Sequence, residues 1–162
     1  MEIKELFKLY IQSGSVVSMS VRPERAKPVR VIDSVNALEN KGLEGDRSEG
    51  GSRQVTFIQQ EHLSAAASFL GKIKLDFTLT RRNILVSDIN LLSLKGKQFQ
   101  IGNAVFEYSG GCHPCSRMEE ALGKGGYNAM RGHGGITARV INSGSLKVTD
   151  AVEVLMNEAV SK

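Results

Sequence analysis

The sequence predicts a mostly β protein whose sheet is strongly curved or closed into a barrel, with a few short α-helices. Three observations predict it. Short segments rich in β-branched and aromatic residues recur about eight times along the chain; turn-forming pairs such as Gly102-Asn103 separate several of them; and apolar residues at helical spacing are confined to two or three brief stretches. No regular strand–helix–strand alternation runs through the chain, which disfavours a doubly wound parallel sheet.

Ile3, Leu6, Phe7, Tyr10 and Ile11 recur at helical spacing ahead of Gly14, predicting a short amphipathic helix whose role is packing. Ser15 to Val21 and Val29 to Val35 read as paired strands around a proline-containing break from Arg22 to Pro28. Lys41 to Ser52, with Gly42, Gly45, Gly50 and Gly51 among acidic residues, reads as the longest loop. Arg53 to Gln59 follows as a strand, and Glu61 to Leu70 as an Ala-rich helix closed by Gly71. Asn83 to Val86 is a further strand. Lys97 to Ile101 and Ala104 to Tyr108 flank Gly102-Asn103 as a hairpin, and a second hairpin is expected from Ile136 to Ile141 and Leu146 to Val148 around Ser143-Gly144. Val152 to Leu155 supplies a last strand, and Ser116 to Leu122 a helix that Gly123 caps.

A chain of 162 residues with 41% hydrophobic content can build one core without metal or disulfide staples, so residues 1–162 are expected to form a single domain, with residues 1–14 as a helical extension packed on it. No apolar run approaches the roughly 20 residues that span a bilayer. The N-terminus lacks the basic head and apolar core of a secretory signal, so the expectation is a cytoplasmic protein with no membrane partner. The net charge of +4 suits a phosphate-bearing small molecule as readily as nucleic acid. With three Tyr, six Phe and no Trp spread without a stacking stripe, a nucleic-acid-binding barrel is the weaker alternative.

Chemistry concentrates in three segments. Gly110-Gly111-Cys112-His113-Pro114-Cys115-Ser116-Arg117 joins a strand to a helix start, where unpaired N–H groups and nearby Arg117 favour an anion, so the position suits a thiolate at Cys115. The two cysteines also admit a zinc site, a thioredoxin-like dithiol, or an inert buried pair. The first lacks a further Cys or His pair at finger-like spacing, and the second normally follows the first strand of an α/β pattern. Gly42 to Arg47, with Gly45 and Asp46, offers backbone N–H groups to a phosphate or makes a tight turn; it lacks the ending of a Walker loop. Gly125 to Gly135 carries five glycines together with Arg131 and His133, and reads as a mobile lip over a site or a plain surface loop. Arg81, Arg82 and Asn83 stand at a strand entrance, where arginines can fork onto phosphate or pair with acidic neighbours.

In order and spacing, several stretches resemble the MOSC domain family, the molybdenum cofactor sulfurase C-terminal domain, and in particular its small stand-alone bacterial members. They are Ser15 to Arg25, Lys41 to Arg47, Arg53 to Ile58, Arg81 to Val86, Gly102 to Glu107 leading into Cys112-His-Pro-Cys115, and Gly135 to Val140 with Val148-Thr-Asp150. The resemblance covers nearly everything after residue 14. It implies a strongly curved MOSC-type β-barrel and binding of the molybdenum cofactor (molybdopterin) or handling of sulfur. Some members reduce N-hydroxylated compounds. The family's key cysteine matches Cys115, implying that it ligates molybdenum or carries a persulfide, both suited to a soft, nucleophilic thiolate. Arg53, Arg81, Arg82 and Arg131 become candidates for holding the pterin phosphate, with Asn83, His133, Gly45 and Asp46 in the same segments. The pyridoxal-phosphate lyase, ferredoxin-like and extra β-domains that accompany longer relatives have no counterpart, so a separate electron-donor or sulfur-donor protein is expected. Arg47-Ser48-Glu49 follows Gly45-Asp46 where relatives often carry a histidine, so the resemblance implies no second ligand there.

Overall fold

A computed structural model describes Met1–Met156. Eleven strands occur among the described residues: β1 (Gly14–Val21), β2 (Arg30–Ile32), β3 (Ser34–Leu38), β4 (Gly42–Leu43), β5 (Val55–Gln59), β6 (Ile84–Ser87), β7 (Gln98–Ile101), β8 (Ala104–Gly111), β9 (Ile136–Asn142), β10 (Gly144–Lys147) and β11 (Ala151–Leu155). Seven of them close a barrel in the order β1-β11-β7-β8-β9-β5-β6, and β2 extends it from the far part of β1. A small second sheet has the order β10-β3-β4. The helices are α1 (Ile3–Leu6), α2 (Gln60–Phe69), α3 (Ser116–Leu122) and α4 (Gly126–Met130).

The barrel interior is filled by alternate residues of the closing strands. Phe57, Phe99 and Phe106 meet at its centre with ring centroids 5.4 to 5.6 Å apart. Phe57 points inward, while Ile58 faces out beneath α2, α3 and α4, where it packs with Leu63, Leu85, Met118, Leu122 and Met130. Both faces of β5 are therefore covered, which explains why Val55 to Gln59 carries so little polar alternation. The connection through α2 makes β5 and β6 the parallel pair of an otherwise antiparallel barrel, a single strand–helix–strand unit that the sequence pattern concealed.

Several expectations hold. The hairpin at Gly102-Asn103 forms as β7 and β8, β1 pairs with β2, and α2 lies within one residue of its predicted ends. Others are corrected. The first helix covers only Ile3–Leu6 and buries none of its residues; the segment is held instead by Tyr10, whose hydroxyl donates to the Ser93 carbonyl at 2.9 Å under the Lys97 ammonium. The run from Val29 to Val35 divides at Asp33, its second part entering the small sheet as β3. The long loop contains β4, paired with β3. The hairpin expected around Ser143-Gly144 does not form, because both edges of β9 are occupied by β8 and β5, so β10 leaves to pair with β3. Gly144 permits this departure, since a Cβ there would collide with Asn103.

Candidate functional site

β8 carries a register shift between Tyr108 and Gly110 as it leaves the barrel, a bulge that turns its last residues toward the cysteine loop. Cys112 donates its backbone N–H to the Gly135 carbonyl at 2.9 Å and buries its thiol; Cys115 caps α3 in an extended conformation and exposes its thiol. The two thiols are therefore inequivalent. Cys112 lies beside Arg53, whose Nη2 is 3.9 Å from Sγ. Among the described residues no three His, Cys, Asp or Glu side chains converge as a metal-ligand group, so a four-ligand zinc centre has no ligand set there.

Arg82 organises the loops behind the thiols. Its guanidinium donates to the carbonyls of Gly134 (2.9 Å), Thr80 (3.0 Å) and Cys112 (3.2 Å), joining three separate segments. Burial holds its pKa below the ordinary value, opposed by the proximity of Cys112 and Cys115 and reinforced by the charges of Arg22 and Arg53. Arg81 lies just before it in a left-handed conformation (φ 58°), donating to the carbonyls of Lys27 and Glu24. Desolvation, then the charges of Arg22, Arg47 and Arg117, lower its pKa, with Asp46 acting in the opposite sense. The electrostatics divide the arginines into an inner group around the thiols, Arg53 and Arg82, and an outer group of Arg47, Arg81 and Arg117. Arg22 is coupled to both.

Asp46 and Asn83 have a different place. Asp46 is buried and takes Arg22 in a two-pronged ion pair, through Nε at 3.1 Å and Nη2 at 2.9 Å, together with the backbone N–H groups of Arg22 and Ser48. Burial pushes its carboxyl upward, but the Arg22 hydrogen bonds and charge outweigh this and hold it below the usual carboxylate range. Fully buried Asn83 donates to Asp46 and to the Ser20 carbonyl, both at 3.1 Å, and accepts from the backbone and hydroxyl of Thr56. These side chains build the frame beneath the site. Gly45, at φ 87°, is exposed and lines, with Arg30, Asn36 and Glu44, a cleft of about 460 Å³.

The stretch from Gly125 to Gly135, read as either a mobile lip or a plain surface loop, is partly helical. Its first half is α4, which buries Ala129 and Met130 and whose first turn is held by the Glu119 carboxylate, accepting from the N–H groups of Gly125 and Tyr127 at 2.9 Å each. Its end is fixed by contact: a Cβ at Gly134 would collide with the Cys112 carbonyl, and one at Gly135 with that of Phe57. These glycines serve close backbone approach rather than motion. Arg131 is exposed at the end of α4. The His133 ring packs edge-on to His62 at 4.9 Å and near Phe69, with its buried Nδ1 lacking a hydrogen-bond partner among the described residues. Sequence reasoning assigned no site role to Arg22, Arg47 or His62; Arg47 directly follows Gly45-Asp46, and that adjacency was the available signal.

Together these features define a closed, mostly antiparallel β-barrel with an exposed thiol and converging arginines beside one end of β8. The chain matches the family model for the MOSC domain over residues 44–153, and it belongs to the MOSC domain family. Among solved structures it is similar to the YuaD protein from Bacillus subtilis, with a TM-score of 0.76 and 18% identity over 88% of this chain and 96% of that one. It is also similar to YiiM from Geobacillus stearothermophilus (TM-score 0.73, 14% identity, 91% of this chain and 78% of that one). For YiiM from Escherichia coli the TM-score is 0.68 with 19% identity, covering 90% and 71% respectively. At these identities the likeness concerns the fold alone. No curated protein sequence matches the chain. No helix among the described residues is long and apolar enough to cross a membrane.

Proposed function

We propose that this MOSC protein is a small cytoplasmic molybdoenzyme that binds the molybdenum cofactor through Cys115 and reduces N-hydroxylated compounds. The observation that carries the reading is the exposed Cys115 thiol beside Arg53 and Arg82, two arginines from separate segments, neither of which has a carboxylate within 4.0 Å among the described residues. The donor chemistry fits the cofactor: a thiolate is a soft ligand for the metal, and uncompensated guanidinium charge suits the pterin phosphate. When bound, the cofactor supplies two-electron oxygen-transfer chemistry.

The chain's own residues then have distinct tasks. Cys115 would hold the metal with its thiolate. Arg53 would hold the phosphate, while Arg82, its Nε and both Nη atoms donating to main-chain carbonyls, contributes charge and keeps the cysteine loop, Thr80 and Gly134 in register. Arg131 and His133, just before the pinned Gly134-Gly135 segment, would border the substrate. Asp46 and Asn83 act through Arg22 and Arg82's neighbouring backbone, as positioning residues, and Gly45 turns the chain that delivers Asp46. Reducing equivalents come from a separate protein.

Turnover tests the reading. Protein from a cofactor-competent host should reduce an amidoxime with reduced viologen as electron source, and Cys115→Ser should lose at least about 100-fold in rate. Equal rates in both, or no turnover in either, would overturn it. A second reading, a persulfide carrier, is favoured by the exposure of Cys115, which lets a desulfurase reach it. Mass spectrometry after incubation with desulfurase and cysteine should then find one added sulfur on Cys115, and an unmodified Cys115 would exclude carriage.

A further inference from the structure

We infer that Arg47, Arg81 and Arg117 form a docking rim for a protein with an acidic face, the donor that has to approach Cys115. The inference rests on the proposed function only in supplying a reason for a donor; the rim itself is argued from charge and geometry. The three arginines come from segments packed together: the loop after β4, where the Arg47 N–H donates to the Arg22 carbonyl at 2.9 Å, the left-handed turn before β6, and α3, which packs against that turn; Arg47 and Arg117 each repel Arg81. None has a carboxylate within 4.0 Å among the described residues, so their repulsion is left for a complementary surface to relieve.

The form of the charge favours a protein over a phosphate ligand. Chelating a phosphate calls for a free guanidinium fork, yet both Nη atoms of Arg81 donate to main-chain carbonyls, of Lys27 and Glu24. Arg81 therefore contributes field rather than a fork, and its hydrogen bonds fix the 24–27 segment, which adds exposed Arg25 and Lys27. A field spread over exposed segments steers and orients a large partner. A single-stranded nucleic acid would meet the same charge, but residues 22–28, 44–53, 81–83 and 112–117 contain no Phe, Tyr or Trp on which bases could stack.

The test uses the full chain without cofactor, so that it does not depend on molybdenum. Iodoacetamide, a neutral reagent, alkylates Cys115, and poly-L-glutamate serves as the acidic probe. At low salt the probe should slow alkylation at least about fivefold, and high salt should restore the rate. Arg47→Glu and Arg117→Glu should each abolish most of this protection. Lys147→Glu is the control: β10 packs against the Gly102-Asn103 tip, at the opposite end of β8 from the cysteine loop, so this variant should keep it. Thermal melts of the variants establish that they fold, and two independent rim substitutions keep the test decisive if one does not. Absence of protection, equal loss in Lys147→Glu, or tighter binding of oligothymidylate than of poly-L-glutamate at matched salt would each overturn the inference. Absence of protection in the wild type, with normal turnover of cofactor-loaded enzyme on reduced viologen, would sink the rim and leave the proposed function standing; protection without turnover would do the reverse.

Discussion

Asp46 and Arg47 are chain neighbours, as are Arg81, Arg82 and Asn83, yet each run of neighbours divides between two regions with opposite physics. Asp46 and Asn83 lie buried in a hydrogen-bonded frame with Arg22, Ser20 and Thr56; Arg47 is exposed and Arg81 half-exposed, on an uncompensated cationic rim beside Cys115. A strand entrance sends one side chain into the barrel wall and the next toward solvent, so a single short motif supplies both support and contact surface. The frame should govern folding, and the rim should govern what binds.

The sharpest way to break this division is Asp46→Ala, which leaves the Arg22 guanidinium without its two-pronged partner next to buried Asn83. A loss of about 3 kcal/mol is expected in denaturant unfolding. Asn83→Ala should follow at about 2 kcal/mol, since it strands partners on Thr56, Ser20 and Asp46. Acid should find the same frame. Asp46 is held below the usual carboxylate range in the fold, so its contribution is present above the unfolded value near 3.8 and is lost as pH falls below it.

His62 gives a smaller effect in a separate window. Burial, then the facing His133 ring, hold it below its ordinary 6.5, with the Glu61 charge opposing. The unfolded chain therefore binds the extra proton first, and stability should fall as pH drops below 6.5; His62→Gln should flatten that slope in melts between pH 7 and 5. Smallest of all, Arg47→Ala and Cys115→Ser should change stability by no more than about 0.5 kcal/mol, because neither side chain supports another. A large loss from either would erase the distinction between frame and rim.

Strand content and barrel class were legible because β-branched alternation and the Gly102-Asn103 turn are local signals, and β1, β5, β7 and β8 formed with ends within three residues of those read. Where tertiary contact decides, the pattern misled. The glycines of the Gly125 to Gly135 stretch resemble a flexible lip, but Gly134 and Gly135 are small because carbonyls of Cys112 and Phe57 press against them, a contact that exists only after β9 pairs with β8 and β5. The second hairpin failed for the same reason: pairing partners are a property of the closed sheet. Within the candidate site, Cys115 stood out by its position before a helix, whereas the frame role of Asp46 and Asn83 depends on Arg22, 24 and 61 residues away, and had no local signature.

Cys115, and not its buried neighbour, is the thiol proposed to work. Molybdenum bound per chain, measured on wild type, Cys115→Ser and Cys112→Ser purified from a cofactor-competent host, tests it most directly. Metal is expected on the wild type, with most of it retained in Cys112→Ser and lost in Cys115→Ser. Equal metal in wild type and Cys115→Ser, or loss confined to Cys112→Ser, would contradict it.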